Sequence, residues 1–200
     1  MAGRGAAERP VLPAAPRPEP AGHEPEPAAM IRVMAILDIL TELATTGRWG
    51  PVATGADWAE VTASFGDPWT GTLTGPWEWP RLVAYGDLEL SVCHCRRIVL
   101  VCVQTWRDVI ELPSLSSGEP RGFPGSLTHQ DVTRALDAAG CPWRPDPSLT
   151  FDDQCALTAL PSGATFAFSG VAPGVEPVLN VMGLPDGLHD CPAPTTSTTP

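Results

Sequence analysis

The stretch Tyr85–Val103 reads YGDLELSVCHCRRIVLVCV, and its alternation restricts the fold more than any other part of the chain. Successive side chains of a strand point to opposite faces. Leu88, Leu90 and Val92 share one face, and Val99, Val101 and Val103 supply the matching face of a second strand. Six such residues ask for an antiparallel hairpin with one apolar side. Gly86-Asp87 suits a two-residue turn led by glycine, which makes Arg81–Tyr85 a strand as well. With Arg96-Arg97 as the second turn, Cys95 falls opposite Ile98 and Ser91 opposite Cys102. In that register Glu89, Ser91, Cys93 and Cys95 line the outer face with Cys102, and His94 points the other way.

The same register argues against a metal centre. Cys93 and Cys95, two apart on one strand, have Cα atoms about 7 Å apart. Sulfurs sharing a zinc lie about 4 Å apart, given bonds of about 2.3 Å. A C-x-C pair also lacks the usual knuckle spacing, and Cys141 and Cys155 are distant in sequence. The expectation is no metal and no cofactor, with the cysteines acting as small apolar side chains. Arg96-Arg97 is placed to lower the Cys95 thiol pKa, so a thiol or zinc protein stays open as a lesser alternative.

Elsewhere the pattern reads as alternating helices and strands. Residues 1–29 carry proline every few positions and few large apolar groups, so they are expected to form a disordered leader, with Met30 a possible start of translation. Ile31–Thr46 has helical spacing at Val33, Ile36, Leu37, Leu40 and Leu43, and Gly47 is a stop signal. A shorter helix carries Trp58, Val61 and Phe65 on one face, ending at Gly66 before Asp67-Pro68. Trp69, Trp77 and Trp79 lie in a loop, either as a lid on the core or as a binding surface.

Residues 113–126 read as a loop or linker. Thr128 opens a third helix, with Asp131 as its capping-box partner and Val132, Ala135, Leu136 and Ala139 as the buried stripe. Strands follow near Gln154–Leu160, Ala164–Ser169 and Pro177–Gly183. Residues 189–200 form a second disordered tail. The expected architecture is one α+β domain over residues 30–188, mainly antiparallel, with about three helices. The halves 30–112 and 127–185 share an order of helix, tryptophan-bearing loop and three strands. An internal duplication leaves that order, and so does the chance recurrence of a common unit.

Composition narrows the function classes. The formal net charge is −11, and all 12 basic residues are arginine; that bias fits a GC-rich, actinobacterial coding sequence. An acidic chain repels nucleic-acid phosphates and anionic lipid, and attracts basic partners. No stretch reads as a membrane span or signal peptide, so a cytoplasmic location with reduced thiols is expected. Nothing matches a nucleophile elbow, a phosphate loop or an H-E-x-x-H helix, and a non-enzymatic protein is expected.

Phe65-Gly66-Asp67-Pro68, then Tyr85-Gly86-Asp87-Leu88-Glu89-Leu90, then a later helix and Ser162-Gly163-Ala164-Thr165-Phe166, form a recognisable series. Over about residues 31–184 the chain resembles small bacterial immunity-type proteins of polymorphic toxin systems. The resemblance implies a non-enzymatic, cytoplasmic inhibitor whose partner is a cognate toxin, often basic, with no catalytic residues to carry over. Asp67, Asp87 and Glu89 are the candidate partner contacts; each also has a local role as a turn former or solvated strand position. The alternative is a small-ligand or regulatory module using the tryptophan loop.

Overall fold

The computed structural model describes residues 27–73, 80–185 and 191, with side chains from Ile36 onward. The leader before Pro27 therefore lies outside the described residues, as do Trp77, Trp79, His23, His189 and most of the C-terminal tail.

Helix α1 spans Pro27–Thr46. It starts inside the expected leader, because proline is tolerated in a first turn whose N–H groups have no intrahelical acceptor. Ile36, Leu37, Leu40, Leu43 and Ala44 are buried along its inner stripe. A two-stranded ribbon follows, β1 (Arg48–Trp49) with β2 (Val52–Ala53). Helix α2 (Trp58–Phe65) is capped by Asp57, whose side chain accepts from Ala59 N–H, and it ends at Gly66 with φ 76°.

The main sheet has seven strands in the order β3 (Arg81–Tyr85), β4 (Leu88–Val92), β5 (Ile98–Gln104), β11 (Val178–Pro185), β10 (Thr165–Ser169), β9 (Gln154–Ala159) and β8 (Trp143–Pro145). All of its pairings are antiparallel. A three-stranded meander (β3–β5) and a four-stranded one (β8–β11) thus meet through their last strands, β5 and β11. A separate hairpin, β6 (Val109–Pro113) with β7 (Pro120–Pro124), sits over the first meander. Helix α3 (His129–Ala138) packs beside α1 and has a complete Thr128–Asp131 capping box. The α+β class is as the sequence indicates.

One continuous core joins the inner face of the sheet to α1, α2, α3 and the β6–β7 hairpin. Tyr85, Leu88, Leu90, Phe166 and Phe168 are fully buried there. The outer face, with Glu89, Ser91, Leu100, Cys102 and Gln104, is only half-buried.

Two expectations need correction. Residues 113–126 are not a linker: they hold the end of β6 and all of β7. Pro113, Pro120 and Pro124 sit at strand ends in a ribbon with two open edges, where a missing N–H donor costs least. The β4–β5 register also differs. Leu88 pairs with Val103, Glu89 with Cys102 and Ser91 with Leu100; the register then shifts by one, so Val92 faces Ile98. Strand β4 stops at Val92, and Cys93-His94-Cys95 belongs to a longer turn with Arg96 at φ 65°.

Candidate functional site

The acidic triad resolves into three different situations. Asp87 follows Gly86 in the β3–β4 turn and is only 3% exposed. Its carboxylate accepts the Glu111 N–H at 2.7 Å and lies 3.5 Å from the Arg107 guanidinium. That carboxylate fastens the β6 strand to the turn, and burial takes it off the contact surface. Glu89 lies on the outer face of β4, half-exposed, accepting from Gln104 Nε2 at 2.9 Å. Asp67 is exposed. With Trp58, Pro68, Gly71, Thr72, Leu73 and Arg96 it lines an open cleft of about 420 Å³.

The tryptophan loop contributes its first member to the core. Trp69 meets Tyr85 edge-on, with ring centroids 6.0 Å apart, which is the lid arrangement.

The cysteine turn is where the structure departs most from the strand expectation. Off the strand, alternation no longer separates the side chains. The Cys93 and Cys95 sulfurs are 2.8 Å apart. The sulfur of Cys191 joins them, so that all three sulfurs lie within 4.8 Å of one another. His94 Nδ1 is 3.2 Å from the Cys191 sulfur. Cys102 stays on the outer sheet face, as alternation implies, but its partner is Glu89 rather than Ser91, and Cys93 and Cys95 are no longer beside it on that face. Burial, and then the Glu89 charge, push its thiol from 9.0 up to about 11. No sequence signal connects Cys191 to residues 93–95, because the link is made by strand order alone.

A further surface escaped the sequence reading. The start of β9, the end of β10 and the approach to β11 share one end of the sheet. There Phe151 and Val175 are each 57% exposed and Val171 42%. Asp152, Asp153 and Glu176 are exposed among them. Residues 146–185 hold four carboxylates and no arginine, lysine or histidine. Glu176 also raises the Cys155 thiol pKa, after burial, which places its charge against the end of the sheet.

His129 lies against Phe168, with ring centroids 4.9 Å apart, and edge-on to Trp143. It is a core-facing ring at the start of α3. No helix among the described residues is long and apolar enough to cross a membrane. Comparison with protein-family models finds no match, and neither curated proteins nor solved structures yield one.

Proposed function

We propose that this chain is a non-enzymatic protein-binding protein of the immunity type, acting in the cytoplasm to neutralise a cognate toxin with a basic surface. The observation that carries this reading is the sheet end where Phe151, Val171 and Val175 stand exposed among Asp152, Asp153 and Glu176. Apolar groups rimmed by like charge are the usual makeup of a contact patch: the apolar part supplies affinity, and the charge steers encounter and selects the partner. The excess of carboxylates over the whole chain acts in the same direction. Asp67 and Glu89 are secondary contact candidates; Asp87 is spent internally.

The test is co-expression with the toxin encoded beside this gene, followed by binding kinetics on the purified pair. Protection and a stable complex are expected. Asp152 has φ 48°, a conformation that asparagine tolerates, so the charge variant is Asp152→Asn with Asp153→Arg. It should slow association about tenfold at low salt and flatten the salt dependence. Absence of both protection and complex sinks the proposal.

The cleft beside Asp67 and Arg96 favours a second reading, a small-ligand module, because its volume falls within the range of ligand sites. Under that reading Asp67→Asn alters ligand binding, and the sheet-end variant alters nothing.

A further inference from the structure

We propose that Cys93, Cys95, Cys191 and His94 form a zinc site that clamps the C-terminal segment onto the β4–β5 turn. Three thiolates and an imidazole are a soft donor set suited to a closed, four-coordinate zinc centre.

Three observations carry this beyond a chance grouping. The first is distance. Two thiolates on one tetrahedral zinc are about 3.8 Å apart, and a thiolate and an imidazole nitrogen about 3.5 Å, from bonds of about 2.3 and 2.0–2.1 Å. The Cys191–His94 separation of 3.2 Å is close to that value, and the three sulfurs lie within 4.8 Å of one another. His94 joins that group through Cys191 alone, so its ring must turn toward Cys93 and Cys95 to serve as the fourth ligand. The Cys93–Cys95 pair, at 2.8 Å, is far longer than a disulfide bond of about 2.05 Å. It opens to zinc geometry by a side-chain rotation at half-exposed Cys95.

The second is support around the ligands. Arg97 N–H donates to the Cys93 sulfur at 3.3 Å, which fixes the direction in which that sulfur points. Cys93 N–H donates to Arg97 O and Arg96 N–H to Cys93 O, each at 2.9 Å, closing the turn. The turn is held from outside as well: Trp58 N–H donates to Arg96 O at 2.8 Å, and the Arg97 side chain to Gly55 O at 3.2 Å. Three thiolates around Zn²⁺ leave one net negative charge, and the Arg96 and Arg97 guanidinium groups are carried on the same turn.

The third is topology. Strand β11 pairs with β5 so that Pro185 faces Leu100. The chain therefore leaves β11 at the end of the sheet where β5 begins, which is the end bearing the cysteine turn. Five residues lie between Pro185 and Cys191, and the six Cα steps reach about 20 Å when extended. Binding replaces three S–H protons: the neutral thiols and imidazole take up Zn²⁺ and release three H⁺, with no change of oxidation state.

Full-length protein, purified reduced under anaerobic conditions, tests the site by titration with Zn²⁺ and with Co²⁺ as a spectroscopic substitute. One metal per chain is expected, with a thiolate-to-cobalt charge-transfer band and the visible bands of tetrahedral cobalt. Cys191→Ser lies outside every helix and strand and leaves the fold intact; it should weaken binding at least about a hundredfold, more than loss of an outer-shell partner does. His94→Ala should change the visible bands. Cys102→Ser, on the outer sheet face, should change nothing. Zinc should raise the thermal midpoint of the parent protein and not that of Cys191→Ser. Failure to bind either metal with all thiols reduced overturns the proposal, as does binding indifferent to Cys191→Ser. An unchanged spectrum in His94→Ala overturns the four-ligand assignment.

Discussion

Within Tyr85-Gly86-Asp87, each side chain or missing side chain has a structural task. The Tyr85 ring is fully buried between Trp58, Phe65 and Trp69, and its hydroxyl donates to Gly66 O at 2.8 Å. That bond ties the end of α2 to the end of β3, so the Phe65-Gly66 and Tyr85-Gly86 motifs are two halves of one contact. Gly86 has φ 66°, and a Cβ there would lie 2.5 Å from Glu111 O, so no other residue fits. Burial first, and Asp67 second, push the Tyr85 phenol from 10.0 up to about 12. Between those values the unfolded chain ionises while the folded one keeps its proton. The unfolded state then binds fewer protons, and stability falls as pH rises through that window, with its full value below pH 10. Alkaline denaturation of Tyr85→Phe should lose this slope, at a cost near neutrality of about 1 kcal/mol for the missing hydrogen bond. Cys102 offers a companion measurement. With its thiol near 11, alkylation at pH 8 should be slow, and Glu89→Gln should speed it; an unchanged rate would refute the charge effect.

Elements whose ends are set by local chemistry match the sequence closely. Thr128 accepts from Asp131 N–H at 3.1 Å, and the Asp131 carboxylate accepts the Thr128 N–H at 3.1 Å. Both bonds are local, and the spacing alone announces them. Thr128→Ala should lower stability by about 1 kcal/mol, readable in urea unfolding, and Thr128→Ser should restore it. Elements held by distant partners were not legible. Strands β6 and β7 carry three prolines, and their reason for pairing is that Ile110, Leu112 and Phe123 reach the core under α1. The β4–β5 hairpin shows the limit of alternation. The pattern identifies both strands but fits more than one register, and the longer turn is fixed by bonds from residues 55–58 that the hairpin sequence does not contain. The observed register, two residues from the one that a turn at Arg96-Arg97 would give, takes Cys93, His94 and Cys95 off the strand and leaves Cys102 on the outer face opposite Glu89.

At the scale of the molecule, the β5–β11 ladder makes one sheet of two meanders, and one core runs through both. A fragment of residues 30–126 would expose the β5 edge and lose Phe166, Phe168 and Met182 from that core. It should fail to give a cooperative unfolding transition, whereas the full chain unfolds in one step. An independently folded fragment would show two separable units. Charge also acts at this scale: strand order brings Glu176 to the end of the sheet that carries Asp152 and Asp153.

The sequence by itself determined the three helices, the glycine-led turn, the strands β3, β4, β5, β9, β10 and β11 and the α+β class. Those follow from side-chain period, caps and turn residues within about a dozen positions of one another. Only the tertiary structure decided the joining of β5 to β11, the burial of Asp87, the exposed apolar end and the approach of Cys191 to Cys93-His94-Cys95. Each of these depends on contacts between residues far apart in the chain, and period and spacing are blind to which distant segment lies alongside.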